Sequence, residues 1–557
     1  MRLFNLDKKK IIDIIFLLLA VLLVVPIIIP FFHKGFFPTH DDVQMQRIFE
    51  MSQALKYGGF PPRWASGLLF GHGYPLFSFY SPLTYYLGAL LVFVGANFLI
   101  ATKVVFLMTF FLGAIGMYLL VKDFFGRIPG LVASVIFSYA PYKAVDVYVR
   151  GNLPEFLSLC LLPLVVWANY HLLKDKHPVW LPVFAFLLAL LVLTHNISFV
   201  IFAFFLAVFN LVIILSQKEK KESLVRVVKG GFLGLAIGSF FWLPLIFETK
   251  LVNLVNHPWP FSYDRFFLTY KQLWSSPWGF NGFTEPQPMS LQIGKTFIIF
   301  SILAILIGFF RKNNFPKKMW GIFASVLLFS VFMTTFSSGF VWKTLPFLSF
   351  FQFPWRFHIL ITFCSSILIA SIIYFVQDIF AKKKWIKILT WLLALLIMGL
   401  VVFENYRFFK PKVYWQPIAV SETTTWDDEY LPLWVKAKPK DYQGEKVVTI
   451  EGSGQVTDIN WGYYQKDFTF QADQDSVIEL AHIYYPGWKV FVNGEKKTID
   501  YSNERGLMRV DLPEGKSLVE FKFLRTPLRL FAELLSLASL LTVAFLFTKS
   551  FIKKRKA

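Results

Sequence analysis

Apolar residues in this chain come in long, almost unbroken runs, at about 11–32, 82–99, 102–121, 129–143, 155–173, 179–194, 197–215, 228–246, 294–310, 319–335, 357–380, 385–403 and 527–548. Several reach the roughly 20 residues that a helix needs to cross a hydrocarbon layer about 30 Å thick. Water is absent there, so only a structure that satisfies its own backbone can span, and the runs predict helices. Beyond residue 404 the period shortens to two, as in "QVTDINW" and "KDFTFQA". "WKVFVNGEKKTID" is a hairpin signal, because Asn493-Gly494 suits a type I′ turn. "LMRVDLPEGKSLVEFKF" reads as two more strands around Pro513, Glu514 and Gly515. The pattern predicts a transmembrane unit over 1–403, a β-sandwich of about 100 residues within 404–526, and a last transmembrane helix with a basic tail over 527–557.

Charge orients the runs. Of 557 residues 56% are hydrophobic and only 16% charged, with mean hydropathy +0.54, so the chain is a polytopic membrane protein, mainly α. The net charge of +21 would suit nucleic acid, but the basic residues sit in short clusters between the runs, at 8–10, 122–127, 174–176, 218–221, 311–318, 382–384 and 553–556. That distribution marks cytoplasmic loops and excludes a nucleic-acid partner. Alternation of sides then leaves one run too many before residue 122, and 82–99, which opens with Ser-Pro, is expected to be interfacial or re-entrant. About twelve spanning helices result, with both termini cytoplasmic, the β domain outside and the plasma membrane as the location. The first run lacks a small-x-small cleavage site and is expected to stay as a helix. Cys160 and Cys364 lie in apolar runs, which excludes a disulfide framework.

The outer segments hold the unusual residues. The first, 33–80, contains "THDDVQMQRIFEM", with His40, Asp41 and Asp42 ahead of a helix whose apolar face (Val43, Ile48, Met51, Leu55) suits the membrane surface. Acids also suit a helix start, so capping is the alternative role. "GGFPPRW" and "GHGYPLFSFYSPLTYY" follow, bringing Arg63, Trp64 and Tyr74. The second, "PYKAVDVYVRGNLPEFLSL", puts Asp146, Arg150 and Glu155 at helix ends, either as functional groups or as a structural Arg150–Glu155 salt bridge. "LLVLTHNISF" adds His195, and "FQFPWRFHIL" adds Arg356, which a snorkelling role would also explain. Carboxylates beside cations suit a base that activates a hydroxyl while arginine holds a phosphate, and aromatic rings suit sugar faces. No nucleotide-binding glycine loop, HExxH or GxSxG is present.

"HDDVQMQRIFEMSQALKYGGFPPRW", "GYPLFSFYSPLTYY", "SYAPYKAVDVYVRGNLPEF" and "FQFPWRF" together resemble the 6-pyruvoyl-tetrahydropterin synthase-related membrane proteins. No histidine cluster is present that could hold the zinc of that synthase. The C-terminal "YYPGWKVFVNGE" is similar to the end of YfhO-like bacterial membrane proteins. Both families resemble the GT-C glycosyltransferases, in which an acid of the first outer loop is catalytic. The resemblance implies that Asp41 is the base with Asp42 beside it, and that Glu155 or Asp146 is the second acid. Substrate contacts are expected from the outer-rim residues His40, Arg63, Trp64, Tyr74, Asp146, Arg150, His195 and Arg356. The donor would be a polyprenyl-phosphate sugar drawn from the bilayer, and the acceptor a glycan, lipid or protein. Oligosaccharyltransferases of that superfamily need a metal and many others do not, so a divalent metal at Asp41/Asp42 stays open. A flippase of lipid-linked glycans and a non-catalytic envelope-assembly protein are the competing expectations.

Overall fold

The computed structural model of the protein describes residues 8–254, 263–279, 289–311, 317–415, 429–439 and 444–556. Parts of the expected outer segment 247–293 and of the 311–318 basic cluster lie outside them. Among the described residues, nine helical segments are long and apolar enough to cross a membrane. A tenth would be the pair Lys220–Ile237 and Ser239–Leu251, bent by 73°, with Gly238 at the break. The runs at 179–194 and 294–310 form shorter helices, Trp180–Val192 and Lys295–Phe310, so twelve spans are reached only if these and the bent pair cross as well. Run 82–99 yields only Leu83–Phe93, which at 1.5 Å per residue is too short to span.

The most deeply packed helices are Arg127–Arg150, Leu153–Lys174 and Pro354–Ile379. One apolar cluster fills the space between them, and Cys160 and Cys364 are fully buried within it as small apolar side chains. The segment expected as a loop around 144–154 is mostly helix. The Arg127–Arg150 helix continues through a π-turn, Asp146–Arg150, and stops at Gly151, which is left-handed with φ 71°. Such wide turns recur at functional sites.

Among the described residues, eight strands form two antiparallel sheets: β1 (Val447–Glu451), β2 (Gly454–Trp461), β3 (Gln465–Ala472), β4 (Ser476–Ile483), β5 (Trp488–Val492), β6 (Glu495–Lys497), β7 (Leu507–Leu512) and β8 (Gly515–Phe523). Their orders are β1-β4-β7 and β2-β3-β8-β5-β6. Val492 pairs with Glu495, and Asn493 and Gly494 both have positive φ, which is the two-residue turn that the sequence predicts. Inward residues of both sheets, including Phe470, Leu480, Val510 and Phe521, share one apolar cluster with Trp64, Tyr74 and Phe79 of the first loop.

That shared cluster corrects the expected surface helix. Helix Gln44–Lys56 buries Ile48, Met51 and Ala54, but it also buries Gln44, Gln46, Glu50 and Ser52. The Leu83–Phe93 helix packs against it, and Tyr463 of the β region hydrogen-bonds to Glu50. Its polar face is therefore covered, an outcome that periodicity alone cannot foresee.

Candidate active site

The first loop docks on the π-turn through its backbone. His40 N–H donates to Val149 O (2.9 Å) and Asp41 N–H to Arg150 O (2.6 Å). Gly151 makes this approach possible, because a Cβ there would lie 2.5 Å from Thr39 Oγ1. Neither acid caps the following helix: its N-cap is Val43, with no side-chain cap hydrogen bond.

The docking places Asp41 over a cluster of opposed charges. Arg150 Nη1 binds Asp146 Oδ1 at 2.7 Å and Glu155 Oε1 at 2.9 Å. Tyr142 donates its hydroxyl proton to Glu155, and the Arg150 guanidinium lies 4.8 Å above the Trp355 ring. Arg356 donates from Nη1 to Phe351 O (2.8 Å) and Gln352 Oε1 (2.5 Å). Gln352 holds that position at φ 64°, a left-handed conformation unusual outside glycine. Asp146 and Glu155 are fully buried, and Arg150 and Arg356 nearly so. Burial of this kind is tolerated only where charges are paired.

The pairing is incomplete in one direction. Glu155 Oε2 and Arg356 Nε face each other at 3.8 Å, too far for a hydrogen bond. These two atoms and Asp146 Oδ2 are buried without a hydrogen-bond partner among the described residues.

Asp41 is the accessible acid of the cluster, with its side chain 27% exposed. Burial raises its pKa, but the hydrogen bond with His40 (Nδ1···Oδ1 2.7 Å) and the fields of Arg150 and Arg47 outweigh it and hold the carboxyl below its usual range. His195 caps helix Asn196–Leu215 and accepts the Ser198 N–H on Nδ1, which leaves its proton on Nε2. Burial pulls this imidazole down to about 3 against the raising field of Glu155, so it is neutral. Arg47, which sequence reasoning missed, lies 3.9 Å from the Tyr80 ring centroid and donates to Tyr85 Oη (3.2 Å). Tyr142 and Trp355 were missed too, although Tyr142 sits four residues before Asp146 on the same helical face.

Asp42 points elsewhere. With His40 it lines a cavity of about 500 Å³ together with Tyr148, Trp278, Lys410 and Lys412. Among the described residues no group of three or more His, Cys, Asp or Glu side chains could hold a metal ion, and Asp41 Oδ1 is engaged by His40.

Arg63, Trp64 and Tyr74 are not brought to this cluster. Arg63 donates to Phe240 O and pairs with Glu533 at 3.6 Å. Trp64 Nε1 donates to His482 Nε2 at 3.0 Å, and Tyr74 Oη accepts from Tyr430 N at 2.9 Å. The three hold the first loop against the β region and the last helix.

Residues 77–408 match the family described as 6-pyruvoyl-tetrahydropterin synthase related domain, membrane protein. The chain belongs to that family of membrane proteins. An uncharacterized protein of Lactococcus lactis subsp. cremoris (strain MG1363) is 24% identical over 340 residues, which are 58% of this chain and 52% of that one. The chain thus spans about half the length of the curated relative it matches. Among solved structures, the archaeal oligosaccharyltransferase AglB from Archaeoglobus fulgidus, in complex with an inhibitory peptide and a dolichol-phosphate, is similar at TM-score 0.46 and 14% identity over 74% of this chain and 57% of that one. The arabinofuranosyltransferase AftD from Mycobacteria is similar at TM-score 0.46 and 13% identity over 75% of this chain and 28% of that one.

Proposed function

We propose that this protein is a membrane-embedded glycosyltransferase moving a sugar from a polyprenyl-phosphate donor to a glycan, lipid or protein acceptor on the outer face of the plasma membrane. The observation that carries the reading is the buried cluster of Asp146, Arg150, Glu155 and Arg356 with one partly exposed carboxylate, Asp41, docked above it. Such a site separates the two tasks of glycosyl transfer. Asp41 accepts the proton of the acceptor hydroxyl, whose oxygen forms the new bond to the anomeric carbon. The anomeric carbon–oxygen bond to phosphate breaks, and the phosphate leaves with the electron pair. Arg150 and Arg356 neutralise that phosphate in a site poor in water, where a fixed cation is worth more than in solution.

A carboxylate held below its usual pKa is a weak base for a free hydroxyl. It suffices where the transition state is oxocarbenium-like, because the hydroxyl becomes acidic only as its bond to carbon forms. Glu155 and Asp146 keep Arg150 and Arg356 in place before the donor arrives.

The test uses the purified full-length protein with a polyprenyl-phosphate sugar and envelope acceptors, comparing wild type with Asp41→Asn. Transfer by the wild type and its loss in the variant is the expected result. Equal transfer by the Asn variant removes Asp41 as the base. If neither protein turns over any donor while the wild type moves lipid-linked glycan across vesicles, the flippase reading takes its place.

A further inference from the structure

The connection that leads into Arg356 is built for hydrocarbon, although both of its ends lie on the outer side. Residues 336–351, "FSSGFVWKTLPFLSFF", join span Lys317–Thr334 to span Pro354–Ile379. They form a short helix, Gly339–Thr344, between two 3₁₀ turns, Phe336–Ser338 and Pro346–Phe351. Lys343 is their only charged residue. Trp342, Leu348 and Phe351 are buried, whereas Phe336, Phe340, Phe347 and Phe350 are 60%, 67%, 45% and 73% exposed. Exposed rings gathered so closely mark a surface that something apolar covers.

Ring contacts set the depth of the segment. Phe347 meets Phe204 with centroids 6.4 Å apart. Phe204 is the eighth residue after Asn196, where helix Asn196–Leu215 starts at its outer end, so it lies about 12 Å along that span at 1.5 Å per residue. That is near the middle of a hydrocarbon layer about 30 Å thick. Trp342 and Phe351 pack on Phe357 at 6.4 and 6.0 Å. Phe357 in turn packs at 6.1 Å on Phe329, five residues below the outer end of Lys317–Thr334. The hydroxyls fit that depth. Thr344 Oγ1 donates to Phe340 O (2.8 Å) and Ser349 Oγ to Pro346 O (2.7 Å), although both residues are exposed. In water such bonds are optional; in hydrocarbon a hydroxyl without one is costly.

The same segment holds an arginine of the charged cluster. Phe351 O and Gln352 Oε1 accept from Arg356 Nη1 at 2.8 and 2.5 Å. We propose that residues 336–351 form a re-entrant segment in the outer leaflet, with Phe340, Phe347 and Phe350 among the acyl chains of the bilayer, and that this anchorage positions Arg356. Lys343 extends its ammonium from the segment toward the headgroups, as a long cationic side chain can. The embedding is independent of the transfer reading; its consequence for transfer through Arg356 rests on that reading.

Two measurements on the full-length protein in phosphatidylcholine nanodiscs test this. Wild type, irradiated with a phosphatidylcholine that carries a diazirine in mid-chain, should take lipid adducts on the peptide covering 339–351. Nitroxides are then placed on Phe347→Cys and on Phe350→Cys, since Cys160 and Cys364 are buried. Oxygen should relax both labels more strongly than a water-soluble nickel chelate does. A label on Leu392→Cys, an exposed position of span Ile386–Phe409, should behave alike, and one on Lys496→Cys of β6 should show the reverse. Labels that the nickel chelate reaches better, or a peptide without adducts, overturn the embedding. Labels shielded from both reagents overturn it too, by showing that a second copy of the chain covers the rings. Phe350→Asp puts a charge into hydrocarbon; it should move the Phe347→Cys label toward the nickel chelate and lower sugar transfer at least about tenfold. Phe350→Leu should match wild type in both. A moved label with unchanged transfer would detach Arg356 from the anchor. A wild type that transfers no sugar while its labels stay in lipid would sink the enzyme reading and leave the embedding in place.

Discussion

One short helix and the turn before it serve two buried polar regions that are built on opposite terms. At Asp41 the acids Asp41, Asp146 and Glu155 face Arg47, Arg150 and Arg356, so each buried charge has an opposite charge nearby. Nine residues on, Glu50 is more deeply buried, and among the described residues no cation pairs with it. Its partners are the Tyr463 hydroxyl (2.7 Å), Gly67 N–H (3.2 Å) and the Gln46 amide (3.3 Å), and burial pushes its pKa up to about 7 despite them. Lys466 mirrors it on the β side. Its ammonium donates to Gly462 O at 2.8 Å and lies near the rings of Trp461 and Trp488, and burial, helped by Lys446, brings its pKa down to about 7. Burial also holds His482 well below the ordinary imidazole range. Opposite charge keeps a buried group ionised, while neutral hydrogen bonds only reduce the cost. The first region is held together by opposed charges and suits catalysis. The second titrates near neutrality and joins the loop to the β region.

The contrast breaks most visibly at Asp41. Asp41→Asn keeps the shape and removes the base, so the transfer rate at saturating donor should fall by about 10²- to 10⁴-fold while the unfolding temperature stays close to wild type. Arg150→Gln attacks the pairing instead. It leaves Asp146 and Glu155 buried with only Arg356 to answer them, and should cost about 3–5 kcal/mol in thermal or denaturant unfolding. A small loss there would mean that water, not Arg150, compensates the two acids.

The two regions also differ in how far the sequence reveals them. The charged cluster is legible because its members lie near one another in short motifs: "HDD" precedes a helix, and Asp146 and Arg150 are four apart on one face. What the motifs hide is orientation. Asp41 turns toward Arg150 and Asp42 toward the cavity, and Arg47 reaches Tyr80, because the Val149–His40 and Arg150–Asp41 backbone bonds set the rotation of the segment. The second region is not legible at all. Glu50, Trp64 and Tyr74 meet partners more than 350 residues away, Tyr463, His482 and Tyr430. An aromatic side chain in a polar loop reads equally well as a sugar platform or as packing. The extent of the helices falls between these cases: the runs are plain, but Gly238 bends one of them by 73° and three others form helices shorter than a membrane.

Glu50 sharpens the comparison through pH. Its folded pKa, about 7, lies above its ordinary 4.5, so the folded protein binds the proton more tightly and stability falls as pH rises from about 4.5 to about 7. Glu50→Gln should remove that slope and leave the protein more stable than wild type at pH 8, by at most about 3 kcal/mol. Lys466 acts in the opposite sense. Its folded pKa, about 7, lies below its ordinary 10.5, so it adds stability as pH rises from about 7 to about 10.5. Unfolding temperatures across that range should show Lys466→Met flattening the alkaline limb and Glu50→Gln the acid one. Parallel profiles for both variants and wild type would mean that neither group is buried in solution.

The smallest effect separates packing from substrate binding. Trp64→Phe keeps an aromatic ring in the shared cluster but loses the donor to His482 Nε2, leaving a buried imidazole nitrogen without that bond. The cost should be about 1–2 kcal/mol of stability. Because Trp64 is fully buried between the first loop and the β region, stacked on Tyr485 and edge-on to Trp488, no sugar face can reach it. The KM for donor and for acceptor should therefore match wild type in Trp64→Phe, whereas Trp278→Ala in the Asp42 cavity should raise one of them. A raised KM in Trp64→Phe with unchanged stability would reverse the assignment and return Trp64 to the substrate side, as its aromatic, loop-borne position in the sequence suggests.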